Sequence, residues 1–242
     1  MSNPVFNQKV FQEERVITSE PMTINGTINK TFLSFALLLA SSVYVWSLYF
    51  QGAMDKVGML MTVGIITSII AFLFIMFNKK AMAVATPVYA VAEGLVLGGI
   101  SAQFERMYPG IAIQAIAMTF MALFSLLFLY RVGAIKCTEK FRSVIFISTA
   151  SIAGIYLISI LGSFFGLHIP QIFSSSLIGI GFSLVVVVIA ALNLIIDFDF
   201  IERGAQNFLP KEYEWYGAFG LMVTLVWLYL ELLNLLSKFR DR

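Results

Sequence analysis

The sequence predicts an all-α integral membrane protein with seven transmembrane helices, of which the C-terminal helix is central. Hydrophobic residues make up 59% of the 242 residues and charged residues only 12%, about half the charged share of a soluble domain. The apolar residues also come in long uncharged runs, such as 57–78 and 107–130. About 20 apolar residues cross a bilayer, so each run is long enough for one span.

The predicted elements follow in order along the chain. Residues 1–30 are polar and lack helical periodicity, which predicts a flexible tail ahead of a transmembrane domain over 31–238. Proline cannot continue a helix interior, so we expect a kink at Pro87 and a tight break at His168-Ile169-Pro170. The predicted spans are 31–50, 57–77, 81–104, 110–130, 143–167, 173–196 with an extension toward 207, and a last hydrophobic segment over 215–237 after Pro210.

The distribution of basic residues predicts a cytoplasmic N-terminus. With that orientation, eleven lysines and arginines fall in cytoplasmic segments and five in outer segments. Three of the five are Lys238, Arg240 and Arg242 in the C-terminal tail. A re-entrant last helix, or one span that fails to cross, would bring this tail inside, so the side of the C-terminus stays open.

The last hydrophobic segment carries an acidic residue, Glu231, on a face made of small and polar side chains. Residues three and four apart share one face of a helix. Along this face lie Gly217, Gly220, Thr224, Trp227, Glu231, Asn234 and Lys238. A membrane helix turns such a face toward the protein interior, which predicts that the other helices surround this one.

Three carboxylates lie within or at the edge of predicted spans: Glu93, Asp197 and Glu231. An ionised carboxylate in the middle of a bilayer costs a few kcal/mol on insertion scales. We expect no lysine or arginine deep in any span, so these acids have no obvious ion-pair partner. Each acid must therefore be protonated, share a proton, or meet a cation or water.

The two aspartates of the sixth predicted helix lie on different faces of that helix. A stripe at steps of three and four ends on Asp197 and includes Asn193, whereas Asp199 is roughly 200° around the helix. Asp199 can pair with Arg203 at i+4, so we expect Asp197 in the interior and Asp199 at the surface. The stripe consists of Gly179, Ser183, Val186, Ala190, Asn193 and Asp197.

Two neighbouring carboxylates cannot both ionise cheaply, so a pair holds one proton near neutral pH. Its oxygens also suit a transient calcium ion. Asp197 and Glu231 form the expected pair, although helix geometry from Pro210 gives them a depth offset of about 12 Å. Glu93 is therefore an alternative partner for Asp197.

Each acid also has a purely structural interpretation. Asp197 would be a solvated helix end, and Glu231 would either extend its carboxyl toward the membrane surface or be merely hydrogen-bonded. Glu93 would lie beside close helix packing at Gly94 and Gly98.

Enzyme and cofactor chemistry find no support in the sequence. The single cysteine, Cys137, excludes an internal disulfide. The only histidine, His168, lies in a predicted turn rather than in a membrane protease site. The last helix has no mid-span lysine for retinal, and Gly-x-Gly-Asp of aspartyl proteases is absent. Nucleotide, metal and nucleic-acid motifs are also absent, so we expect no enzyme, no bound cofactor and no nucleic-acid partner.

Four stretches of sequence resemble the Bax inhibitor-1, or transmembrane Bax inhibitor motif, family. They are AEGLVLGGIS (92–101), IKCTEKFR (135–142), NLIIDFDFIERG (193–204) and EYEWYGAFGLMVTLVWLYLELLNLL (212–236). The similarity covers residues 30–238 and is closest to a bacterial branch with an extended N-terminal tail, which implies the inner membrane. It also implies a central last helix and a buried pair of acids that senses pH and gates a calcium leak.

In this resemblance, Asp197 takes the helix-six position of the pair and Glu231 the helix-seven position, where the family usually has aspartate. The expected function is therefore a pH-sensitive calcium-permeable channel, with the lipid bilayer, calcium and protons as partners. Glu93 is a further gating candidate, and Asp199, Asn193 and Asn234 are secondary ones. Two alternatives stay open: a proton-coupled secondary transporter, and a non-conducting regulator of a membrane protease or other membrane protein.

Overall fold

The computed structural model describes residues 20–78, 81–165 and 174–242. This part of the chain contains seven α-helices, and each is long and apolar enough to cross a membrane. They are α1 (Ile24–Phe50), α2 (Met54–Phe77), α3 (Met82–Met107), α4 (Ile111–Arg131), α5 (Glu139–Phe164), α6 (Leu177–Gln206) and α7 (Tyr213–Arg240). The prediction of an all-α integral membrane protein with seven spans is confirmed.

Two of the helices that begin earlier than predicted, α1 and α5, are capped by threonines. α1 begins at Ile24 rather than at residue 31, and the Thr23 side chain accepts a hydrogen bond from the Gly26 amide at 2.9 Å. α5 begins at Glu139 rather than at residue 143, with the Thr138 side chain accepting from the Phe141 amide at 3.2 Å. Such caps satisfy amide groups that have no partner inside the helix. Residues 1–19 and the predicted break at 168–170 lie outside the described residues.

The C-terminal helix α7 is the most buried of the seven described helices. In its most apolar stretch 67% of the residues are buried, compared with 11% in α5 and 17% in α1. A helix that bilayer lipids surround would expose most of its side chains. The burial of α7 is therefore that of a helix enclosed by protein, as the small and polar face predicts.

The helices form two compact units. The first unit contains the described residues of Gln8–Ala112 together with Asp199–Val223, and the second contains Ile113–Phe198 and Thr224–Arg242. The first unit therefore holds α1, α2, α3, the end of α6 and the beginning of α7. The second holds most of α4, all of α5, most of α6 and the end of α7.

In the first unit, glycines of α3 allow the backbone of α1 to approach closely. A Cβ atom added at Gly94 would lie 2.2 Å from the Leu38 carbonyl oxygen, and one at Gly98 would lie 2.3 Å from the Ser42 carbonyl oxygen. Small residues are what membrane helices use where their backbones meet. The close helix packing expected at Gly94 and Gly98 is confirmed.

The segment before α1 is held against the beginning of α7, also within the first unit. The Thr23 amide and hydroxyl both donate to Glu214 Oε1 at 2.9 Å, and Lys30 forms an ion pair with Glu214 Oε2. The Met22 amide donates to the Leu209 carbonyl oxygen at 2.7 Å, and the Met22 side chain is buried. We call this set of contacts the N-terminal clamp.

An ion pair extends the N-terminal clamp to the surface. Lys211, in the loop before α7, pairs with the exposed carboxylate of Glu20. The Lys211 ammonium lowers the pKa of Glu20 below its usual range, and Glu20 in turn raises the pKa of Lys211. Since both side chains lie in water, the pair adds little to stability.

Candidate functional site

The stripe on α6 that ends at Asp197 faces the protein interior, as predicted. Every member of the stripe from Gly179 to Asp197 is buried. Leu184, Val185 and Val188, on the other side of the same helix, are exposed. The three-and-four spacing of small and polar residues therefore identified the buried face of α6.

Asp197 itself lies in the second unit and is 0% exposed. Its solvated interpretation is wrong, because α6 continues to Gln206 and Asp197 lies inside the helix. Among the described residues, neither of its carboxyl oxygens has a hydrogen-bond partner. The buried Thr224 of α7 lies beside the carboxyl, but not in good hydrogen-bond geometry. A buried carboxyl in this position requires a proton, a cation or a water molecule.

Asn193, one turn before Asp197, connects α6 to α5. Its side-chain amide donates to the Thr149 hydroxyl at 3.0 Å and to the Ile189 carbonyl oxygen at 2.8 Å. The amide nitrogen is thus fully engaged within the second unit. Asn193 therefore connects α6 to α5 next to Asp197 through both hydrogens of its amide.

Glu231 on α7 is buried in the same unit and is held by two aromatic side chains. Its Oε1 accepts a hydrogen bond from the Tyr156 hydroxyl at 2.7 Å and another from Trp227 Nε1 at 3.1 Å. Its Oε2 has no hydrogen-bond partner of good geometry among the described residues, although Asn234 lies nearby. The interpretation in which Glu231 reaches the membrane surface is therefore wrong, since the protein itself supplies its hydrogen bonds.

The two acids of the expected pair do not hydrogen-bond each other. Asp197 has no hydrogen-bond partner among the described residues, whereas Glu231 is bonded to Tyr156 and Trp227. The depth offset derived from the sequence pointed in the same direction. In this conformation Asp197 and Glu231 occupy separate hydrogen-bonding environments of one unit.

Lys238, near the end of α7, is a buried cation that the sequence places both on the predicted interior face of the last helix and among the basic residues of the C-terminal tail. Its side chain is 3% exposed, and Nζ donates to the Ser183 hydroxyl at 2.8 Å and to the Gly179 carbonyl oxygen at 3.2 Å. Its charge also attracts that of Glu231 on the same face of α7. The signal was present in the sequence, because Lys238 continues the spacing of Glu231 and Asn234 beyond the predicted end of the span.

Glu93 belongs to the first unit. It is half-buried on α3, with the side chains of Tyr89 and Ser68 next to its carboxyl. The neighbouring Gly94 packs against α1. Glu93 is therefore surrounded by partners within its own unit, and its role as the partner of Asp197 stays a prediction.

Asp199 pairs with Arg203 as its i+4 spacing predicts, with 3.0 Å between Asp199 Oδ2 and Arg203 Nε. The expected surface position of Asp199 is wrong, because its side chain is buried. Every residue from Asn193 to Ile201 is buried, so α6 has no exposed side in this stretch. Because Arg203 balances the charge of Asp199, the burial of Asp199 has a structural explanation.

The acidic residues of the described ranges do not form a cluster of three or more potential metal ligands. In the part of the chain that the structure describes, no group of three or more His, Cys, Asp or Glu side chains lies close enough to hold one ion.

Comparison with known proteins identifies the family. No curated protein and no solved structure matches the chain. The model of the family described as Bax inhibitor 1 like matches residues 3–241, which is nearly the whole chain and includes all seven helices. This protein therefore belongs to the Bax inhibitor-1-like family of membrane proteins.

Proposed function

We propose that the protein is a pH-sensitive, calcium-permeable leak in a bacterial inner membrane, with its N-terminus in the cytoplasm. The observation that carries this proposal is Asp197, a carboxyl that is completely buried and has no hydrogen-bond partner among the described residues. Intramembrane carboxyls are costly and commonly mark ion or proton pathways. Membership of the family, whose resemblance implies a gated calcium leak, supports the same function.

The mechanism follows from what can compensate a buried carboxylate. An ionised carboxylate without a partner costs several kcal/mol in a protein interior. A proton removes the charge of Asp197, and a calcium ion with its remaining waters offsets it. Since both act on the same two oxygens, protons and calcium compete for Asp197, and calcium flux depends on pH.

Glu231 supplies a second carboxylate for this proposed path. Tyr156 and Trp227 fix Oε1, whereas Oε2 has no partner of good geometry. A carboxylate held by one oxygen offers the other to a passing ion. The two acids then act in succession, because they do not share a hydrogen bond.

Calcium flux through the purified protein in liposomes, measured across the neutral pH range, tests the proposal. Asp197→Asn carries a neutral amide at every pH. We expect this variant to show, at all pH values, the flux that the wild-type protein shows at its acidic limit. Glu231→Gln should flatten the pH response as well. A wild-type pH response in both variants would overturn the gating mechanism.

Asp199→Asn is the matched control, since it makes the same chemical change two residues along α6. Asp199 is already paired with Arg203, so this variant should keep the pH response. If wild-type liposomes carry no calcium, the protein is a non-conducting regulator instead. If calcium flux requires a gradient of a second solute, it is a coupled transporter.

A further inference from the structure

The C-terminal end of α7 carries a buried positive charge, Lys238, to which the proposed calcium path assigns no role. Lys238 is buried in the second unit, whereas Phe239 and Arg240 directly after it are exposed. Arg240 donates to the Gln114 side chain at 3.1 Å, outside the buried region. Lys238 is therefore the last enclosed charge of α7 before the helix reaches its exposed end.

Two acceptors from α6 hold the ammonium group of Lys238 in place. Nζ donates to the Ser183 hydroxyl at 2.8 Å and to the Gly179 carbonyl oxygen at 3.2 Å. Both Ser183 and Gly179 belong to the buried stripe that leads to Asp197. The positive charge is thus fixed between the polar faces of α6 and α7, rather than extended into solvent.

Lys238 also lies close to Glu231 along α7. Seven residues at about 1.5 Å each separate them by roughly 10 Å along the helix axis. Helical side chains lean toward the N-terminus of their helix, which brings the ammonium closer to Glu231. A positive charge at this distance both attracts the carboxylate and repels a cation that approaches it.

We propose that Lys238 is a tethered cation that limits the flux of cations past Glu231 and limits divalent ions most strongly. This inference rests on the proposed function, because it assumes that ions pass Glu231. The repulsion that Lys238 exerts is proportional to the charge of the moving ion. Removing the charge of Lys238 must therefore increase calcium flux more than potassium flux, by a defined ratio.

Lys238→Gln tests this prediction, since glutamine is neutral and keeps a hydrogen-bond donor at the end of its side chain. Calcium and potassium fluxes are measured separately in liposomes at one fixed pH. For a charge about 10 Å away in water, we expect calcium flux to rise at least about fourfold and potassium flux about twofold. The calcium factor should equal the square of the potassium factor, because the barrier scales with ion charge. A path less polar than water raises both factors but keeps this relation.

The relation between the two factors separates a charge effect from a loosened structure. A bundle that merely packs less tightly would pass more of both ions by equal factors, and that result would overturn the role of Lys238. Lys238→Arg keeps the charge and should keep the wild-type ratio of the two fluxes. Arg240→Gln removes the same charge at an exposed position and should also keep that ratio.

Two further results complete the test. If Lys238→Gln does not fold, Lys238→Met replaces it, since methionine keeps most of the stem without a charge, and the same relation between factors is expected. A wild-type flux ratio in a folded neutral variant would overturn the inference and leave the proposed leak standing. The absence of cation flux in the wild-type protein and in every variant would overturn both.

Discussion

At the scale of single residues, Glu231 owes its position to a hydrogen bond across two helices. Tyr156 of α5 donates to Glu231 Oε1 at 2.7 Å, and the ring of Tyr156 also contacts that of Phe182 on α6. A buried acceptor that loses its donor costs more than the bond was worth. Tyr156 therefore fixes the carboxyl of Glu231 and joins it to two other helices.

Tyr156→Phe should lower the free energy of unfolding by about 0.5–2 kcal/mol, the range for hydrogen bonds between membrane helices and for buried groups that lose a partner. The ring and its contact with Phe182 stay, so the loss reports the hydroxyl alone. Thermal unfolding of the purified protein in detergent measures it. Combining the change with Glu231→Gln should give a double-mutant effect that is smaller than the sum.

Tyr44→Phe is the control for this prediction, because the Tyr44 side chain is 56% exposed on α1. Removing its hydroxyl should change stability by less than about 0.5 kcal/mol. Equal losses of stability in the two variants would mean that the hydrogen bond from Tyr156 to Glu231 does not stabilise the protein.

Some of these residue positions could be predicted from the sequence, and others could not. Spacing along one helix identified the buried side of Asp197 and the pairing of Asp199 with Arg203. Spacing cannot identify Tyr156, because its contact with Glu231 joins residues 75 positions apart. Lys238 lies on the predicted interior face, but the predicted hydrophobic segment ends at Ser237, so Lys238 is also counted with the tail, whereas α7 continues to Arg240.

At the scale of elements, the packing of α3 on α1 depends on glycines that have no room for a side chain. A Cβ atom at Gly98 would lie 2.3 Å from the backbone carbonyl oxygen of Ser42, and backbone atoms cannot rotate away as a side chain can. At Gly58 of α2, no atom lies within 4 Å of an added Cβ. The two positions therefore separate helix propensity from packing.

Gly98→Ala should destabilise the protein, because overpacking of about 1–3 kcal/mol exceeds the gain in helix propensity of about 1 kcal/mol. Gly58→Ala makes the same chemical change and should be neutral or stabilising, since it gains propensity without a clash. Thermal unfolding of both variants in detergent gives the comparison. Gly98→Ala as stable as Gly58→Ala would show that α1 and α3 can separate at no cost.

The sequence predicted the existence of every described helix but not where α1 and α5 begin. Apolar length determines a span, whereas the first turn of a helix depends on its cap and on tertiary contacts. Asn25, Gly26 and Thr27 lack the apolar pattern of a span, so they were assigned to the tail. Their helical conformation is stabilised by Thr23 and by the contacts with Glu214, a residue far away in the sequence.

At the scale of the whole molecule, seven described helices are long and apolar enough to cross a membrane, and if all seven cross, the C-terminus lies on the side opposite to the start of α1. The basic tail argued against an external C-terminus, since positive charges favour the cytoplasm. Lys238 does not belong to that tail, because it is buried within α7. The C-terminal tail therefore contains fewer basic residues than the sequence suggested, and the charge argument against an external C-terminus is weaker.

Reporter fusions test this orientation. Alkaline phosphatase fused after Arg242 should be active, because it folds only outside the cytoplasm, and green fluorescent protein at the same position should be dark. Truncating the chain after Pro210 removes α7 and should reverse both signals. An inactive phosphatase fusion on the full chain would show either that one of the described helices does not cross or that the N-terminus is external.

The N-terminal clamp places a constraint on how the protein is made. Thr23 bonds to Glu214, a residue 191 positions later in the sequence. During translation the amide and hydroxyl of Thr23 leave the ribosome long before their acceptor has been synthesised. The start of α1 thus acquires its partner only when almost every other segment has entered the bilayer, which makes this joint one of the last to close and dependent on a full-length chain.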